Sequence, residues 1–159
     1  MRGIRGMTVI NPSDYIEAKA AVHAAYHLNG PVYLRFGRLA VPVINDRPDY
    51  KFEIGKGVTL RDGKDLTIAA TGLCVSEALA AADKLAEDGI DARVLNIHTI
   101  KPLDDELIIK AAKETGFLVT VEEHSVIGGL GAAVAGVLCE KCPATLRRIG
   151  VYAVFGESG

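Results

Sequence analysis

The chain has 159 residues, room for one ordinary domain or for one domain plus part of another. Apolar residues make up 49 %, which supports a packed core, and 18 basic against 20 acidic side chains leave a formal charge of −2, with no block of either sign for a nucleic acid or an anionic membrane. The longest apolar run, around Gly129–Leu138, is too short and too rich in Gly and Ala to span a bilayer. No basic-then-apolar leader opens the chain, and three cysteines, an odd number, fit a reducing cytoplasm.

In chain order, Met7–Ile10 reads as a short strand. Asn11-Pro-Ser-Asp14 then starts a helix over about 14–28, because a side-chain oxygen there accepts from a free backbone N–H. Tyr15, Ala18, Val22 and Tyr26 fall on one face of that helix, Asn29-Gly30 ends it, and 31–36 is a second strand. A strand–helix–strand piece over 1–38 cannot bury both faces of a two-stranded sheet, so it needs a partner. Scattered prolines and turn formers over 39–53 read as a linker.

From residue 54 onward the pattern is regular. A weak edge strand at 54–60 precedes a buried strand at 66–71. Ser76 is expected to cap a helix over 77–88, followed by a strand at 92–98. Asp104 caps a helix over 105–115, with Leu103 and Ile108 as a hydrophobic staple and Gly116 at its end. A strand at 117–123, a helix at 130–140 and a strand at 146–151 follow. Strands alternating with long helices imply right-handed crossovers. The expected fold is α/β: a three-layer αβα domain with a mainly parallel, about five-stranded sheet.

Several groups of residues could carry chemistry. Gly129-Leu-Gly131-Ala-Ala-Val134 follows a strand as a dinucleotide fingerprint does. Val134 stands where the third glycine belongs, however, and no acid closes the next strand, so packing is the plainer reading. Cys139-Glu-Lys-Cys142 sits at a helix C-terminus, where the dipole raises a thiol pKa instead of lowering it. His23 and His27 lack a third ligand and read as a surface or interface pair. Glu122-Glu123-His124 ends a parallel strand, the edge where ligands gather in open sheets, so Glu123 and His124 form a candidate polar site without a nucleophile. Arg35 and Arg38, on either side of the flexible Gly37, could grip a phosphate or hold the linker by ion pairs; chemistry alone leaves both open.

Asn96-Ile-His-Thr-Ile-Lys-Pro-Leu-Asp104, Val119-Thr-Val-Glu-Glu-His124, Gly128-Gly-Leu-Gly-Ala-Ala133 and Phe155-Gly-Glu-Ser-Gly159 together resemble the C-terminal domain of transketolases. Ile68-Ala-Ala-Thr-Gly72 and its following helix fit the same likeness. Asn11-Pro-Ser-Asp14 and Leu34-Arg-Phe-Gly-Arg38 resemble the end of that family's pyrimidine-binding domain. Split transketolases, whose C-terminal half is a separate subunit, look closest in style. Deoxyxylulose-phosphate synthase and the β subunits of 2-oxo-acid dehydrogenases share the architecture, and a nucleotide-sensing module remains the reading from another class.

The resemblance implies two-carbon ketol transfer between sugar phosphates with thiamine diphosphate and Mg²⁺ or Ca²⁺, a cofactor that serves as the electron sink. It implies that an N-terminal portion holds cofactor and metal, that active sites form between subunits of a dimer, and that this chain alone binds neither group and is inactive. No catalytic residue or metal ligand is carried over. Arg38 matches a family arginine that grips the phosphate end of the sugar, with Arg35 in a supporting role. The family continues past the Gly-Glu-Ser-Gly stretch into a further helix, so the chain reads as a fragment.

Overall fold

The structure is a computed structural model and describes residues 1–152. The Phe155–Gly159 stretch of the resemblance, and the end of the expected second domain, lie outside the described residues.

Five strands form the larger sheet: β3 (Val58–Arg61), β4 (Leu66–Ala70), β5 (Ala92–Asn96), β7 (Phe117–Ser125) and β8 (Thr145–Val151). They lie side by side in the order β3-β5-β4-β7-β8, parallel throughout except for the antiparallel edge strand β3. Ile68 stands beside Val94 on one side and Val119 on the other, so β4 is central and nearly continuously apolar. Alternation along the strands divides the core. Ala69, Leu95 and Leu118 face α3 (Asp105–Thr115) and α4 (Leu130–Lys141), while Ile68, Ala70 and Val94 face α2 (Cys74–Glu87). The α/β, three-layer class expected from the sequence is the observed one.

Local signals explain α3 fully. The Asp104 carboxylate accepts from the Leu107 N–H at 3.2 Å and the Gly57 N–H at 3.0 Å, and Gly116 closes the helix at φ 67°, a conformation costly for any residue with a Cβ. Ser76 is a correction. The helix begins at Cys74, because Gly72 (φ 59°) turns the chain directly out of β4; the Ser76 hydroxyl instead donates back to the Leu73 carbonyl at 3.0 Å.

The smaller sheet holds β1 (Thr8–Ile10) and β2 (Val32–Leu34) in parallel, joined by α1 (Tyr15–His27). It is not limited to two strands. β6 (Thr99–Lys101) leaves the end of β5 and pairs antiparallel with β1, with the Asn11 N–H donating to the His98 carbonyl at 2.8 Å. The sequence assigned 92–98 to one strand, but pairing with β1 diverts the chain after Asn96.

The face of α1 read from its apolar spacing is also turned the other way. Tyr15, Val22 and Tyr26 are exposed, at 71 %, 51 % and 85 %, whereas Glu17 and Ala21 are buried. A polar network holds that inner face. Glu17 accepts from the Ser13 N–H at 2.7 Å, the Ser13 hydroxyl at 2.8 Å, the Tyr50 hydroxyl at 2.5 Å and the Asn96 amide at 2.9 Å. One carboxylate thereby joins α1, the irregular stretch around Tyr50 and β5.

Candidate functional site

The carboxyl ends of β7 and β4 meet the end of β2 across a crevice of about 180 Å³. Arg35 follows β2 and is anchored by its own N–H to the Ile10 carbonyl at 2.9 Å. Its guanidinium crosses to β7, donating to the Glu123 carbonyl at 2.6 Å, with the Glu123 carboxylate 3.9 Å away. His124, Asn11 and Thr71 also line the crevice. The His124 Nδ1 lies 3.0 Å from the Ser125 carbonyl, which fits a donating Nδ1–H. The structure thus brings Arg35, Glu123 and His124 together. Arg38 stands apart and exposed; its neighbours Gly37 and Leu39 line a separate groove of about 170 Å³ beside Ser13, Asp14 and Tyr15.

The glycine-rich turn does not offer a free phosphate cradle. Glu122, 3 % exposed, accepts from the Leu130 N–H at 2.8 Å and the Gly131 N–H at 2.9 Å, so the start of α4 already holds an anion. A Cβ at Gly129 would overlap that carboxylate, and one at Gly131 would come within 2.8 Å of Thr120 Oγ1 and Arg148 Cδ. These glycines permit close approach, as the packing reading required. Glu122 belongs to the strand-end polar group read from the sequence, but its role is to cap α4, which that reading does not contain. An acid eight residues before a Gly-Gly-x-Gly helix start was the available signal.

The settings of three further groups escaped the sequence reading. Burial tends to raise the Asp14 carboxyl pKa, but the Glu17 N–H, the Asn45 side chain and the Asn45 and Ile44 N–H groups outweigh it and hold the pKa below the usual carboxylate range. His98, fully buried and stacked on Phe52 with ring centroids 4.3 Å apart, has its pKa pushed down by burial, against the opposing charges of Glu17 and Asp104. Burial, followed by the charge of Glu17 and the hydrogen bond to it, pushes the Tyr50 phenol pKa far up, so Tyr50 serves as a donor.

Among the described residues no three His, Cys, Asp or Glu side chains gather as a metal would need, and Glu122 occupies the α4 N-terminus. Cys139 and Cys142 are both free thiols.

A mainly parallel sheet with an antiparallel edge, covered by helices on both faces and fastened to a strand–helix–strand unit, defines a three-layer α/β domain. Residues 55–159 match the family described as transketolase, C-terminal domain, and the chain belongs to that family. It is 50 % identical over 159 residues to the 6-deoxy-6-sulfo-D-fructose transketolase subunit SqwH of Clostridium sp. strain MSTE9, covering 100 % of this chain and 49 % of the relative. It is 48 % identical over 161 residues to a putative transketolase C-terminal section of Methanocaldococcus jannaschii, covering 100 % of this chain and 50 % of that one. A solved structure described as a split gene transketolase, inactive beta4 tetramer, superposes with a TM-score of 0.95 at 48 % identity, over 99 % of this chain and 52 % of that one. The chain spans about half the length of the curated relatives it matches.

Proposed function

We propose that the chain is the C-terminal portion of a split, thiamine-diphosphate-dependent transketolase that moves a two-carbon ketol unit between sugar phosphates. An N-terminal portion or subunit supplies the cofactor, Mg²⁺ or Ca²⁺ and the activating carboxylate; this chain supplies subunit contacts and a phosphate-gripping arginine, and is inactive alone. The observation that carries this reading is the superposition on a split transketolase over 99 % of the chain, because it includes residues 1–54, which precede the family match. The exposed Tyr15, Val22 and Tyr26 of α1 support a partner on that face.

Arg38 is the phosphate arginine in this reading. It is free to reach outward, whereas Arg35 is committed to the Glu123 carbonyl and supports the crevice. The three free cysteines support a cytoplasmic setting. Co-purification with the N-terminal half of a split transketolase, followed by calorimetry with thiamine diphosphate and Mg²⁺, tests the reading. Cofactor binding by the pair and none by this chain is the expected result; cofactor binding by this chain alone contradicts it.

A further inference from the structure

The crevice between the two sheets has a charge arrangement that the phosphate role of Arg38 does not use. Arg2 donates from Nε to the Gly128 carbonyl at 2.9 Å, and Arg35 donates from a terminal nitrogen to the Glu123 carbonyl at 2.6 Å. A guanidinium carries five donors, so each arginine retains several N–H groups at the crevice. The Arg2 segment is held in place, since Lys101 Nζ donates to the Arg2 carbonyl at 2.9 Å and the Ile4 carbonyl at 2.6 Å. Glu122, the carboxylate lining the crevice, has both oxygens on backbone N–H groups of α4. Asn11, Thr71 and His124 complete the polar lining. Two guanidiniums therefore face a wall whose buried acid, Glu122, is already satisfied, while the half-exposed Glu123 carboxylate lies 3.9 Å from Arg35.

Size decides the ligand class. Pockets for drug-sized molecules run to roughly 300–1,000 Å³. A crevice of about 180 Å³ falls below that and suits a tetrahedral oxyanion with a short attachment, not a nucleotide. We propose that it binds a small phosphate, either inorganic phosphate or the phosphate end of a short sugar. The anion lies between Arg2 and Arg35 of the strand–helix–strand unit and the β7–α4 wall. It fastens that unit to the five-stranded domain by charge-assisted hydrogen bonds, which are stronger than neutral ones. This role is independent of the one given to Arg38.

Calorimetric titration of the full chain with sodium phosphate, ribose 5-phosphate and sodium chloride at low ionic strength tests the proposal. Saturable binding of phosphate but not chloride is expected, weakened by about tenfold or more in Arg2→Met and Arg35→Met. Tighter binding of ribose 5-phosphate would support the sugar-phosphate source, and equal or weaker binding the free anion. Arg35→Met also removes a contact between the sheets, so Arg2→Met, checked for an unchanged melting temperature, is the decisive variant. No saturable heat from either phosphate, or full affinity in Arg2→Met, would each overturn the proposal.

Discussion

Glu122 spans the first turn of α4, its two carboxylate oxygens 2.8 Å from the Leu130 nitrogen and 2.9 Å from the Gly131 nitrogen. In a phosphate-binding loop those N–H groups would face a ligand; here they face a side chain of the same chain. Glu122→Gln keeps one acceptor and loses the charge, which should lower stability by about 1–2 kcal/mol. Gly129→Ala should cost at least as much, because its methyl overlaps the carboxylate and must displace it. Urea unfolding measures both, and an unchanged midpoint for Glu122→Gln would show that the turn does not depend on the charge.

Glu17 serves Ser13, Tyr50 and Asn96 from a fully buried position. Glu17→Ala leaves those donors buried without an acceptor and opens a cavity, so a loss of about 3–5 kcal/mol is expected. Glu17→Gln can still accept at one atom and should lose less. Equal, small losses in both variants on chemical denaturation would mean that the network does not hold α1 to β5.

Acid should weaken the fold in two stages. The imidazole of His98 titrates lower in the folded chain than in the unfolded one, so its contribution is complete above the unfolded pKa of about 6.5 and is lost as pH falls from there through the folded value. Asp14, likewise depressed in the folded state, contributes fully above about 3.9 and loses that contribution as pH falls through its folded pKa. Melting temperatures across this range should decline below pH of about 6.5 and again below about 3.9. His98→Asn should remove the first decline; its persistence in that variant would assign it to another group.

Arg38→Ala in the assembled enzyme should raise the KM for phosphorylated sugars by about tenfold to a hundredfold, and far more than the KM for hydroxypyruvate. One lost bidentate ion pair is worth about 1.5–3 kcal/mol. Because remote phosphate binding helps place the reacting carbon, kcat for the sugar phosphates should fall as well. Steady-state kinetics with both donors decide this, and equal effects on the two would remove Arg38 from the phosphate role.

How far the sequence could be read depended on how local each determinant was. Helix α3 was readable to the residue because Asp104 and Gly116 act within a turn of its ends. The larger sheet was readable because Leu66–Ala70 and Ala92–Asn96 put apolar residues on both faces and alternate with long helices. Thr99–Lys101 was not readable as a strand of the smaller sheet, because its partner β1 lies some ninety positions earlier and no local pattern records that pairing. Tyr15, Val22 and Tyr26 have helical spacing, but spacing cannot say whether an apolar face meets its own core or another chain. The candidate crevice was half legible: Arg35, Glu123 and His124 were singled out from strand ends, while Arg2 and the role of Glu122 depend on contacts far apart in the chain.

In the proposed function this chain completes an enzyme whose cofactor machinery lies elsewhere. Ketol transfer from xylulose 5-phosphate to ribose 5-phosphate, with thiamine diphosphate and Mg²⁺ added, tests it most directly when measured for this chain alone and for its mixture with an N-terminal transketolase half. Turnover by the mixture and none by the folded chain alone is the predicted result; turnover by the chain alone, or an inert mixture whose halves bind each other, would contradict it.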